Sequence, residues 1–421
     1  MASTTSTMFS ADAPQLIEHV NKSLNFTPTD VRWIPLSPRF VATGTHAKGT
    51  GAVSVYEMTP SELKVIAEIV RPQGVKCGTF GASFLEDRHY AVGDFKGGLA
   101  ILDLSRAGGS GDSAAAGGAA DSTVGAVVWE APMAHASMVN AIDGCGGLNI
   151  GGGAPEIVTG GRDGAVRLWD PRLSTPVIAL EPAEGQVARE CWSVAFGNSF
   201  SDDERCIVAG YDNGDVKLFD LRTQTMRWET NVGNGGAARC TRAQRGNSIA
   251  QPPADTVHAP SLHPHPHPPP LPPLAVVNVE FDRKDIEMNK IAATMLESKF
   301  RLFDVRTQHP VEGFASHTER CHKSTVWLAR HLPQNRDVWL TTGGNGGVNI
   351  YRYHYPAKRA ERDPEGRPRG VIGKVELLNS RIVSTQPVVG WDWSPDKEGL
   401  AAAVCLDQTL RVFIVTRLAK L

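Results

Sequence analysis

One pattern recurs seven times along this chain, and a repeat constrains the fold more than any single motif, because each unit must bury its apolar face against the next. The clearest copy is "GGRDGAVRLWDPR" (Gly160 to Arg172), a turn followed by a short strand. In that strand Val166 and Leu168 share one side, Arg167 and Trp169 the other. Six further copies align on the turn: "GAVSVYE" (Gly51 to Glu57), "GGLAILD" (Gly97 to Asp103), "GDVKLFD" (Gly214 to Asp220), "SKFRLFD" (Ser298 to Asp304), "GGVNIYR" (Gly346 to Arg352) and "QTLRVFI" (Gln408 to Ile414). An apolar strand precedes each turn, as in "FVATG", "EIVTG" and "CIVAG". The large residues of the copies, Tyr56, Leu102, Trp169, Phe219, Phe303, Tyr351 and Phe413, stand 46, 67, 50, 84, 48 and 62 residues apart. Inserts account for the long spacings, and the underlying period of about 45 is that of a four-stranded propeller blade. The expected fold is all-β, a seven-bladed propeller, with Asp163-Gly164 as the central pair of a type I′ turn in which both residues have positive φ.

The last copy supplies strands near Val388 to Trp393, Leu400 to Leu406 and Thr409 to Leu418, and then the chain ends. "QLIEHVN" (Gln15 to Asn21) is the one unassigned candidate for the missing outer strand, and pairing it there closes the ring and protects an open edge. The expected organisation is an N-terminal tail over 1–14 and the propeller over 15–421. Three segments break the period. Residues 107–125 are rich in Gly, Ala and Ser, with almost nothing to bury, and read as a flexible loop. Residues 236–274 contain "HPHPHPPPLPP" and read as a disordered insert. Its His263, His265 and His267 are held extended by prolines, with no second ligand group near in sequence, so no metal site is expected. Residues 356–372, "PAKRAERDPEGRPRGVI", mix basic and acidic side chains and read as a charged, solvated loop.

A net charge of −2 and a pI near 6.7 give no basic footprint for nucleic acid. The seven cysteines show no CxxC spacing and read as reduced thiols. The N-terminus lacks a secretory or transit pattern, and no apolar run approaches membrane-spanning length. "GCGGLNIGGG" (Gly144 to Gly153) lacks the G-x-G-x-x-G spacing, "GVIGK" (Gly370 to Lys374) lacks the P-loop gap, and neither G-x-S-x-G nor H-E-x-x-H occurs. The expectation is a soluble cytoplasmic monomer that binds other proteins without catalytic residue, cofactor or metal.

The repeats resemble the WD-repeat family. That resemblance implies a structural hydrogen-bonded set of His135, Thr159, Asp163 and Trp169 in the third blade. Elsewhere the turn-acid position holds Thr50, Lys96, Asn213, Glu297, Asn345 and Asp407, and only the third blade carries the full set. A closer resemblance lies outside these generic positions. "KCGTFGAS" (Lys76 to Ser83), "NGDVKLFDLR" (Asn213 to Arg222), "RWETN" (Arg227 to Asn231), "EFDRKDIEMNK" (Glu280 to Lys290), "RTQHP" (Arg306 to Pro310), "HKSTVWLARHLPQNR" (His322 to Arg336) and "WDWSPDKEGL" (Trp391 to Leu400) are similar to the Monad family of WD-repeat axonemal dynein assembly factors. Membership implies an adaptor that links axonemal dynein heavy chains to a chaperone machine of RuvB-like ATPases and prefoldin-like subunits. A second reading starts from "LWDPR", "LFDLR" and "LFDVR". These resemble the box by which WD-repeat substrate receptors dock onto a cullin-RING ubiquitin ligase, with Arg172, Arg222 or Arg306 as the docking residue. The simpler alternative is that each arginine pairs with a neighbouring acid.

Overall fold

In the computed structural model, which describes residues 12–59, 62–106, 126–146, 156–182, 187–233 and 275–420, the repeats form seven four-stranded antiparallel sheets in a ring. Blade 1 comprises Thr27–Trp33, Arg39–Thr45, Gly51–Met58 and Leu63–Arg71. Blade 2 comprises Val75–Thr79, Tyr90–Asp94, Leu99–Leu102 and Val127–Ala131. Val139–Gly144, Ile157–Gly161, Val166–Trp169 and Ile178–Leu180 build blade 3. Cys191–Gly197, Cys206–Tyr211, Asp215–Asp220 and Thr225–Asn231 build blade 4. Blade 5 takes Val276–Phe281, Lys290–Met295, Lys299–His309 and Gly313–Arg320. Blade 6 takes Val326–Leu332, Asn335–Gly343, Gly347–His354 and Lys374–Ile382. Blade 7 takes Val388–Trp393, Leu400–Cys405 and Thr409–Thr416 from the end of the chain and Gln15–Ser23 from its beginning.

Burial explains the repeat. Second strands are covered on both faces and read as unbroken buried runs, Leu400–Cys405 among them. Outer strands alternate, so Thr225–Asn231 buries Trp228 and Thr230 between more exposed neighbours. The core consists of seven apolar clusters, one between each pair of adjacent blades. Each contains one residue of the repeated column: Phe413, Phe303, Tyr56, Leu102, Trp169, Phe219 and Tyr351 in turn. The column is therefore the set of side chains by which every blade packs on a neighbour.

The ring closes as the N-terminal strand predicts. Gln15–Ser23 pairs antiparallel with Thr409–Thr416, from Gln15 opposite Thr416 to Ser23 opposite Thr409. Leu16 enters the cluster between blades 6 and 7, and Arg381 and Asn379 of blade 6 donate to the carbonyls of Leu16 and Pro14. These two side chains occupy edge acceptors that would otherwise invite another strand.

The turns differ from the type I′ expectation. Gly164 has φ +82°, but Asp163 keeps a negative φ; the Gly164 amide donates to the Gly161 carbonyl and the Gly161 amide to Ala165. A type I turn followed by one left-handed residue leaves Asp163 free to turn its carboxylate back into the blade. The same left-handed position is Gly49, Gly97, Gly214, Ser298, Gly346 and Gln408 in the other blades. In blade 1 this puts Lys48, not Thr50, at the turn-acid position.

Residues 356–372 are also more ordered than a solvated loop. They hold a small antiparallel hairpin, Ala360–Arg362 with Pro368–Gly370, that lies against the third strand of blade 5. The segments 107–125 and 236–274, with His263, His265 and His267, lie outside the described residues. Among the described residues no helix is long and apolar enough to cross a membrane.

Candidate functional site

The four residues expected to act together in blade 3 are brought together. Trp169 Nε1 donates to Thr159 Oγ1 at 2.9 Å, Thr159 Oγ1 lies 2.8 Å from His135 Nε2, and His135 Nδ1 lies 2.9 Å from Asp163 Oδ1. With Asp163 ionised and only accepting, a neutral ring carries its proton on Nδ1 and takes the threonine proton on Nε2. Asp163 also accepts from the amides of Ala136 and Ala165. Burial works against its charge, but the hydrogen bond from His135 and those from the two amides outweigh burial and hold the carboxyl at about 2. The hydrogen-bonding side-chain atoms of the set are all partnered within the protein, linking the second and third strands of blade 3 to the loop before it.

Blade 6 holds a second such set that the search for a turn acid missed. His322 Nε2 lies 2.9 Å from Thr341 Oγ1, Asn345 stands at the turn position beside the other ring nitrogen, and Tyr351 takes the tryptophan place. The usable signal is Thr-x-Gly at the end of the second strand: a Cβ on Gly161 or on Gly343 would run into the histidine ring of its own blade. Burial pulls the His322 imidazole down to about 4.

Side chains on the innermost strands tie blade to blade. Asp30 accepts from the Gly78 amide, Asp143 from Phe196, Ser193 from Val279, Glu280 from His331, and Asp392 from Trp33, at 2.8–3.2 Å. The last of these crosses the seam where the chain's two ends meet. No sequence period reveals them, because aspartate, serine and glutamate share the task. Around the inner strands Arg32 and Arg330 neutralise much of the acidity. Burial still pushes the Asp392 carboxyl up to about 6 against the pull of Arg32.

Because strands alternate in direction, the first-to-second and third-to-fourth connections of all blades open on one face. Near blades 5 to 7 that face is interlocked. Arg283 donates to the Pro333 carbonyl at 2.9 Å, Arg336 to the Glu287 carbonyl at 2.7 Å, and Gln334 to the Ser394 carbonyl at 3.0 Å. Lys284 reaches past blade 4 to Asp143 and the Gly144 carbonyl. Beneath these contacts the ammonium of Lys290, wholly buried, lies 3.2 Å from Asp282, 3.1 Å from Asp337 and 2.6 Å from the Tyr355 hydroxyl. Asp282 is buried too; its desolvation is outweighed by Lys290 and Arg336, which hold the carboxyl below its usual range.

The three candidate docking arginines are not equivalent. Arg172 is exposed and engages Asp170 through two nitrogens, and exposed Arg222 comes within 3.8 Å of Asp203. Arg306 is covered: it pairs with Asp304, its guanidinium stacks 4.4 Å from the Tyr355 ring centre, and Arg359 of the hairpin donates to its carbonyl. Two of the three thus pair with the acid two residues before them, and Arg306 is placed to join blade 5 to the hairpin. Among the described residues no group of three His, Cys, Asp or Glu is set to hold a metal ion, and the six cysteines are free, five of them buried.

Comparison with known proteins matches residues 132–170, the blade 3 repeat with its tied strands, to the WD domain, G-beta repeat. Over nearly its whole length the chain is similar to proteins named dynein axonemal assembly factor 10. The Homo sapiens protein is 46% identical over 415 residues, covering 98% of this chain and 100% of the relative. The Chlamydomonas reinhardtii protein is 47% identical over 409 residues, covering 97% and 98%. A Dictyostelium discoideum protein of the same name is 21% identical over 429 residues, covering 95% of each. The ubiquitin-ligase reading finds no support in these relatives.

Proposed function

The chain belongs to the dynein axonemal assembly factor 10 family of WD-repeat proteins, and on that premise we propose that it is a non-catalytic scaffold in the cytoplasmic preassembly of axonemal dynein arms. It acts there as a monomer, linking dynein heavy chains to a co-chaperone complex of RuvB-like ATPases and prefoldin-like subunits. The observation that carries this reading is end-to-end similarity, 46% identity over 415 residues that span 98% of the chain. A generic propeller relationship would follow the packing positions alone. The physical form suits the task, since seven inter-blade cores and carboxylate ties make a stiff ring that presents loops from several blades at fixed separations. A scaffold of this kind acts by contact and so depends on its surface.

Affinity capture of the tagged chain from a ciliated cell during cilium regrowth tests the proposal. Dynein heavy chains and RuvB-like ATPases should be retained together. Capture of a cullin-RING adaptor in their place would overturn it.

A further inference from the structure

The hairpin on blade 5 changes the meaning of the charges around it. From Arg352 to Lys374 inclusive the sequence carries seven basic residues and three acidic ones, a local excess of +4 in a chain of net charge −2. Read as a loop, the interleaved acids neutralise their neighbours. In the fold two of the three are taken, and Glu361 stays exposed. Asp363 accepts from His309 at 3.0 Å and from the side chain and amide of Arg367 at 2.7 Å, and Glu365 pairs with Arg367 at 2.8 Å. Arg369 pairs with Glu312 of blade 5 at 2.8 Å. His309 Nδ1 accepts from the amides of Val311 and Glu312, which leaves Nε2–H to donate to Asp363 and fixes the hairpin on the ring. Arg359 adds a bond to Thr307. Lys358, Arg362 and Lys374 are left exposed with no carboxylate partner among the described residues, on a support that is held rather than loose.

We propose that this basic hairpin is a docking surface for an acidic segment of a partner protein. Fixed cations of one sign raise the local concentration of an opposite charge and steer its approach. Nucleic acid fits less well. Single strands need exposed rings to stack on, and Tyr353 is buried while Tyr355 is covered by Lys290 and Arg306. The inference goes beyond the assembly reading and does not depend on it, since it concerns the partner's chemistry and is tested on the purified chain.

Fluorescence anisotropy with a labelled glutamate-rich peptide, and with an oligothymidylate of equal charge, decides it. Lys358→Glu/Arg362→Glu/Lys374→Glu should weaken peptide binding about tenfold or more in low salt, with an unchanged melting curve, and added salt should erase the difference. Should the reversed variant melt early, Lys358→Gln/Arg362→Gln/Lys374→Gln gives the same comparison without new repulsion. Reversing Lys48, Lys96 and Lys323, exposed on the opposite face, should leave binding unchanged. Equal binding by wild type and hairpin variant, equal loss in the opposite-face variant, or tighter binding of the oligothymidylate would each overturn the proposal.

Discussion

Burial makes a second proton on the His322 ring costly, more than its bonds to Thr341 and Asn345 can offset, and this makes His322 the residue whose titration should be easiest to see in folding. Its folded-state value of about 4 lies below that of an unfolded chain, about 6.5. The unfolded state therefore takes the proton first as pH falls. The contribution of His322 is complete above about 6.5 and is lost progressively down to about 4, at up to about 1.4 kcal/mol per pH unit and about 3 kcal/mol in all. Denaturant midpoints measured from neutral to mildly acidic pH should fall more steeply for wild type than for His322→Asn; parallel curves would show that the ring is not buried neutral. At this scale the sequence was partly legible. His135, Thr159, Asp163 and Trp169 stand in a recognisable order, whereas His322 was hidden because Asn345 and Tyr351 replace the two residues that mark the pattern. The carboxylate ties of Asp30, Asp143 and Asp392 were not legible at all, since each meets an amide on the next blade that lies 48, 53 or 359 residues away.

Strands, by contrast, could be read directly, because each is a short apolar run followed by a turn whose left-handed residue is usually glycine. Two blades break that habit with Ser298 at φ +65° and Gln408 at φ +59°. A side chain in this region costs about 1–2 kcal/mol, offset in part by the greater freedom of glycine in the unfolded chain. Gln408→Gly should raise stability by roughly 0.5–1 kcal/mol, read as an upward shift in the melting temperature; a lowered one would mean the Gln408 side chain holds more than its weak contact with Thr27. The closing strand was legible by elimination, as the one apolar segment without a blade. Deleting residues 1–23 removes its ladder to Thr409–Thr416 and unburies Leu16, which should cost at least about 3 kcal/mol. A melting curve left in place would show that the ring does not need this strand. The hairpin escaped the sequence reading for a different reason: its fixing pair, His309 and Asp363, lies 54 residues apart, and composition alone makes the segment look solvated.

At the scale of the whole molecule, packing and function part company. The ring follows from periodicity, since one column of large residues supplies one member to every inter-blade cluster. The family, by contrast, became readable through similarity extending over 98% of the chain and not through the period. As a scaffold in dynein assembly, this ring should be needed to build axonemal dyneins. The most direct test of that need is the dynein content of axonemes from a ciliated cell that lacks the chain, measured by immunoblot and electron microscopy, with cytoplasmic heavy-chain levels followed in parallel. Outer and inner arms should be depleted and heavy chains unstable in the cytoplasm, with both restored by the wild-type chain. Axonemes with full dynein arms in the absence of the chain would contradict that need.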